Sequence, residues 1–152
     1  MVTVTFRMID WILIGDVALK RHYKYRNTPS NYGTNRDIEK DVAGAAGEYA
    51  VAEHLGLMWS GAYDDGKADV GTLEVRTRLN HGGRLCIHDR EIERKNPDPT
   101  TKYVLCWWDC HDETITIVGW AFASEIRQAN IYHDGRHYIP NDRLHDIETV
   151  LL

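Results

Sequence analysis

Asp69 precedes a turn containing Gly71, and the run that follows, Leu73-Glu74-Val75-Arg76-Thr77-Arg78-Leu79, alternates apolar or small residues with charged ones. On a β-strand that alternation sends Leu73, Val75, Thr77 and Leu79 toward a core and lines Glu74, Arg76 and Arg78 along a cleft. An acidic pair presented from a rigid strand suits a hard divalent cation. Mg²⁺ is often held by only one or two carboxylates plus water and substrate phosphate, so Asp69 and Glu74 suffice for a site. A metal held there would activate water and neutralise charge developing on a scissile phosphate. The same spacing also fits a hairpin with a solvated charged face.

The basic residues are unevenly distributed. The chain's formal charge of −5 is not that of a globally basic nucleic-acid binder. Between Arg76 and Lys95, however, six Lys/Arg (Arg76, Arg78, Arg84, Arg90, Arg94, Lys95) stand against three acids, with His81 and His88 alongside. A second run, Lys20-Arg21-His22-Tyr23-Lys24-Tyr25-Arg26, interleaves bases with aromatics. Such patches fit phosphate contacts beside a carboxylate metal site, and they fit solvated helix and loop surfaces equally well. His81, next to Gly82-Gly83, reads as a hairpin-turn residue or a phosphate contact.

These side chains need elements to position them. Val2, Val4 and Phe6 alternate as in a short strand. Residues 10–25 read as a helix with a basic end, which suits its C-terminus. Residues 27–34 read as a loop. A second helix begins at a cap, Asn35 or Asp37, and stops at Gly56. Its small residues Ala43, Gly44, Ala45, Ala46 and Gly47 allow close approach to a sheet, and Glu48 in their midst is placed to reach over that sheet. Strands are expected at 57–63, 73–79, 85–88, 103–108 and 114–122, with a loop over 90–101 because of Pro97 and Pro99. Ser124 is positioned to cap a short helix, 137–139 reads as a strand, and the tail as a last helical turn or two.

At 152 residues and 43% hydrophobic, the chain supports one domain with its own core. No apolar run approaches the ~20 residues that span a bilayer, and no secretory layout opens the chain, so no membrane and a cytoplasmic location are expected. Three cysteines, an odd number in a chain with no export signal, argue against a disulfide framework and make reduced thiols the default. Cys106-x₃-Cys110 with His111, and His133-x₃-His137 downstream, form a competing zinc pattern, but the interval between the pairs is long and Trp107-Trp108 suggests a packed strand. Trp107, Trp108 and Trp120 read as core. The sequence has neither a phosphate-binding loop motif nor a dinucleotide fingerprint.

Taken together, Gly47-Glu48-Tyr49-Ala50-Val51-Ala52 on a helix, Asp69 at a turn and Glu74-Val75-Arg76 on a strand resemble the PD-(D/E)xK nuclease superfamily. Ala45-Ala46-Gly47-Glu48, Asp69-Val70, Glu74-Val75-Arg76-Thr77-Arg78 and Gly119-Trp120 resemble, more narrowly, small nuclease-like proteins of phages and mobile elements. The resemblance spans about residues 37–122. It implies an α/β fold with a central mixed β-sheet flanked by helices, a restriction-endonuclease-like core at 35–122, an N-terminal helical extension at 1–34 and a C-terminal helix and tail at 123–152. It implies metal-dependent phosphodiester hydrolysis of nucleic acid, DNA rather than RNA, with Asp69, Glu74, the Val75 carbonyl and Glu48 around Mg²⁺ or Mn²⁺. Arg76 would contact the scissile phosphate, and Arg78, with His81 and Arg84, the nucleic-acid backbone.

The family lysine is Arg76 here. Lysine can orient water and donate or, with a lowered pKa, accept a proton; arginine stays protonated and supplies only charge and hydrogen bonds. That departure keeps open a second reading, a nuclease-fold module of weakened or lost activity that binds nucleic acid or a protein partner. A homodimer would suit cutting of two strands.

Overall fold

Strand β4 (Lys102–Trp107) is the centre of the protein, buried on both faces, which is why its Tyr-Val-Leu-Cys run is continuously apolar. In the computed structural model, which describes residues 1–25, 37–62 and 67–152, β4 pairs parallel with β2 (Leu73–Arg78) and antiparallel with β5 (Thr114–Phe122). β1 (Val2–Thr5) closes the other edge against β5, so the sheet runs β1-β5-β4-β2 and is mixed. A second sheet, β3-β7-β6, is antiparallel and formed by β3 (Leu85–His88), β7 (Arg136–Ile139) and β6 (Ile131–His133). The fold is α/β, with helices flanking a mixed sheet as expected.

The period-two alternation of β4 divides the core. Val104 and Cys106 face α1 (Met8–Tyr25) and α2 (Ile38–Leu55), packing with Ile14, Ala46, Ala50 and Val75. Tyr103 and Leu105 face the second sheet and α4 (Ala123–Gln128), packing with Leu85, Ile87, Ile126 and Ile139. The N-terminal segment belongs to the first of these clusters through Phe6, Ile14 and Ala18.

Helix α2 is bounded as its sequence predicts. Asp37 accepts the Glu39 N–H at 2.9 Å, and Gly56 ends the helix in the left-handed region at φ 65°. Asn35, the other candidate cap, and the loop expected at 27–34 lie outside the described residues. Gly47 is required by packing: a Cβ there would stand 1.9 Å from Thr77 Oγ1, so only glycine seats the helix this closely on β2.

Several elements differ from expectation. Residues 57–62 form no strand; they run as irregular chain back over α1, and Tyr63 lies outside the described residues. The turn around His81 is not a hairpin, because β3 pairs with β7 rather than β2; it carries the chain from one sheet to the other. Ser124 does not cap α4, which begins at Ala123 with the Glu125 carboxylate accepting the Phe122 N–H at 2.8 Å. Most consequentially, the expected loop at 90–101 contains a helix, α3 (Asp89–Lys95). The tail forms two single 3₁₀ turns, at Asn141–Arg143 and Ile147–Thr149. None of the described helices is long and apolar enough to cross a membrane.

Candidate active site

The site is built at the edge of the first sheet, where β2 meets the turn before it and α3 behind it. Val70 and Leu73 exchange backbone hydrogen bonds across the turn, with Gly71 at φ 59°. This turn points Asp69 back along the strand, where its Oδ2 accepts the Val75 N–H at 2.8 Å. Glu74 and Arg76, two residues apart, share the face of β2 opposite α2. Glu74 is only 8% exposed, and burial pushes its carboxyl pKa up, against the opposing pull of Arg76.

The Arg76 guanidinium occupies the middle of this group. Its Nη1 donates to the Val75 carbonyl at 2.9 Å and lies 3.4 Å from Asp69 Oδ2 and 3.5 Å from Glu74 Oε2. Its Nη2 lies 3.4 Å from Glu74 Oε2 and donates to Glu91 Oε1. The Tyr103 ring lies 5.2 Å from Arg76 Cζ, and the Tyr103 hydroxyl donates to Glu91 at 3.0 Å. Burial opposes the arginine's charge, but Glu91, Asp69 and Glu74 outweigh it and hold the group firmly protonated.

Helix α3 supplies two members of the site that the sequence reading did not assign. Glu91 pairs with Arg76, and one turn on, Lys95 places its Nζ 3.5 Å from Glu74 Oε2. The helix forms because His88 Nδ1 accepts the Arg90 N–H at 3.1 Å, acids fill its first turn and bases its last, and Asn96 stops it in the left-handed region before Pro97. The acid-then-base order ending in Asn96-Pro97 was the signal available for it.

Glu48 is buried, 7% exposed, and lines the same cleft as Asp69, with both of its oxygens held by neighbouring donors. Arg21 of α1 donates Nη1 to its Oε1 at 3.0 Å and Nη2 to its Oε2 at 2.8 Å, and Trp59 donates to Oε2 at 3.0 Å. Burial raises the Glu48 pKa, with Arg21 pulling it back down. Arg21 also reaches the Gly61 and Ala62 carbonyls, so this pair ties α1, α2 and the segment after α2 together. The basic run from Lys20 to Arg26 is therefore largely committed: Arg21 to Glu48, Lys20 to Asp16 and His22 to Asp41, with Lys24 over the Tyr25 ring, while Arg26 lies outside the described residues.

Arg21, Glu48, Asp69, Val75, Arg76, Glu91 and Lys95 line one cleft of about 1080 Å³, whereas Glu74, expected on its wall, is buried beneath Arg76 and Lys95. Glu48 and Asp69 face it from the α2 side, Glu91 and Lys95 from the α3 side. Arg78 and Arg84 line it, the latter stacked 4.8 Å from the Tyr138 ring centroid. His81 does not line it; its ring packs 5.6 Å from that of Trp107. Lys40 and Arg94 also line the cleft, and among the described residues these two and Arg78 make no ion pair. No known protein family, curated protein or solved structure matches the chain.

Among the described residues no three His, Cys, Asp or Glu side chains are grouped around a metal position. The zinc pattern does not assemble: Cys106 packs under α2 near the Gly47 carbonyl, whereas His133 and His137 lie on the second sheet. For a hard cation the donor set is different. Asp69 Oδ2, Glu74 Oε2 and the Val75 carbonyl all approach one point, now held by Arg76 Nη1. Two carboxylates and a carbonyl match what Mg²⁺ takes from protein, leaving positions for water and phosphate. The residues fit a cation, and the one that holds them is a guanidinium.

Proposed function

We propose that this chain is a metal-dependent phosphodiesterase acting on nucleic acid, DNA in preference to RNA, with Mg²⁺ or Mn²⁺ held by Asp69, Glu74 and the Val75 carbonyl. The observation that carries the reading is the convergence of those three oxygens on Arg76 Nη1, at a cleft whose walls hold Lys40, Arg78 and Arg94, cations without an ion pair among the described residues. Oxygens of this kind select a hard cation, and cationic walls select a phosphate backbone. The resemblance to PD-(D/E)xK nucleases supports DNA as the polymer.

In this reading the metal, when bound, supplies an activated water and neutralises charge on the phosphate. Arg76 leaves the carboxylates and grips a non-bridging phosphate oxygen, a role that fits a group unable to surrender its proton. Lys95, next to Glu74, is the amine placed to orient water or protonate the leaving oxygen. Glu48 keeps Arg21 and the segment after α2 in place, so it acts as a positioning residue rather than a ligand.

A second reading rests on one observation, the guanidinium seated on the oxygens that a metal needs. In that case the chain is a nuclease-fold module that binds nucleic acid or a protein partner without cutting. Cleavage of labelled single- and double-stranded DNA and RNA with Mg²⁺ or Mn²⁺ separates the two. Metal-dependent cutting by the wild type, abolished by Asp69→Ala and by Glu74→Ala, supports the enzyme. A folded wild type that binds but cuts none of these polymers, with Arg76→Lys equally inert, supports the module.

A further inference from the structure

Helix α1 buries one side, through Asp10, Ile14, Ala18 and Arg21, and carries exposed apolar residues on the opposite side. Met8, Ile9, Ile12, Leu13, Leu19 and Tyr23 expose between 47% and 81% of their surface. At 3.6 residues per turn, Met8, Ile12, Gly15, Leu19 and Tyr23 form a single stripe along the helix. Six side chains of this size offer on the order of 600 Å² of apolar contact, approaching the roughly 800 Å² per partner of a standard interface. Contiguous apolar patches of this extent mark interaction sites.

Gly15 is an independent pointer to what covers the stripe. It lies in the middle of an 18-residue helix, where glycine weakens the helix relative to alanine. No tertiary contact among the described residues requires it, since a Cβ built there meets nothing within 4 Å. A glycine at the centre of an exposed apolar stripe serves close approach by a second helix. The residues around it are placed symmetrically, Ile12 and Leu19 on either side and Met8 and Tyr23 beyond them. That layout is self-complementary: in an antiparallel crossing Ile12 meets the partner's Leu19, and Met8 the partner's Tyr23.

We propose that α1 is the homodimer interface of this protein, two copies crossing antiparallel at Gly15. The neighbouring charges are compatible with this, because Asp16 is already neutralised by Lys20 at 2.8 Å on the edge of the stripe. They favour a protein over a lipid surface, which selects helices whose polar face is rich in available Lys and Arg; here Arg21 is buried on Glu48, Lys20 is paired with Asp16 and His22 with Asp41, and only Lys24 of the helix's basic side chains makes no ion pair among the described residues. The inference stands on α1 alone and does not depend on the chemistry of the cleft.

Sedimentation equilibrium of the full chain across the micromolar range tests it. The wild type is expected to dimerise. Gly15→Gln is expected to raise the dissociation constant by roughly tenfold or more, while raising the melting temperature of the dilute monomer, since glutamine is the better helix former and meets no clash within one chain. Leu19→Asp is expected to be monomeric with an unchanged circular-dichroism spectrum. A wild type that stays monomeric throughout overturns the proposal, whether or not it binds phosphatidylcholine/phosphatidylglycerol vesicles, and vesicle binding would reassign the stripe to lipid. A dimer indifferent to both substitutions overturns it as well.

Discussion

Arg21 and Glu48 form a bidentate pair at 3.0 and 2.8 Å, buried between α1 and α2, with both carboxylate oxygens engaged. The carboxylate that its helix position marks as a candidate metal ligand therefore holds the cleft wall together. Breaking such a pair from one side leaves an uncompensated buried charge. Arg21→Met is expected to cost about 3–5 kcal/mol in urea unfolding, and Arg21→Met with Glu48→Met together to recover most of it.

In the proposed reading a divalent cation would take the same three oxygens that Arg76 now holds. Removing the guanidinium leaves Asp69, Glu74 and Glu91 without their shared counter-charge. Titration calorimetry with Mn²⁺ is expected to show Arg76→Ala binding about tenfold tighter than the wild type, while Arg76→Ala loses cleavage. Equal metal affinity in the two proteins would mean that the guanidinium and the metal do not compete.

Lys95 is expected to act on the reaction rather than on the metal. Lys95→Met should slow cleavage by about 10²–10³ with Mn²⁺ affinity close to that of the wild type. Lys95→Arg restores charge but not a transferable proton, so it should rescue nucleic-acid binding more than rate. Full rescue of rate by arginine would reduce Lys95 to a phosphate contact.

The unpaired cleft cations should report on salt. Arg78→Ala and Arg94→Ala are each expected to weaken binding to all sequences alike and to flatten the slope of log K against log salt by about 1. Fluorescence anisotropy on a labelled duplex measures both.

Asp10 governs part of the acid stability. A hydrogen bond from the Arg7 side chain, with others from the Tyr49 hydroxyl and the Arg7 backbone, offsets the cost of burial and holds its pKa at about 2 against an ordinary 3.8. The folded value lies below the unfolded one, so the contribution is complete above about 3.8 and is lost as the pH falls toward 2. Its size is on the order of 1–2 kcal/mol, reduced by the solvent exposure of Arg7. Urea midpoints followed down through this range should fall less steeply for Asp10→Asn.

The elements with strong local patterns were legible in the sequence. The alternation in β2, the doubly buried run of β4 and the Asp37 and Gly56 boundaries of α2 each depend on neighbours within a few residues. So did the placement of Asp69 next to Glu74, because a turn and a strand set it. The short polar helix α3 was hidden, since its seven residues include none that is fully buried and so carry no apolar stripe, only charges and a cap. Its Glu91 and Lys95 reach β2 only because the chain crosses to the second sheet and returns.

The sequence by itself determined which faces of β2 and α2 the candidate side chains Glu74, Arg76 and Glu48 occupy, because side-chain direction follows from backbone period. Only the tertiary structure decided how the charges pair. Arg21 meets Glu48 across 27 residues and Lys95 meets Glu74 across 21. An ion pair over such a distance depends on how helices and sheets pack, which periodicity along the chain does not encode.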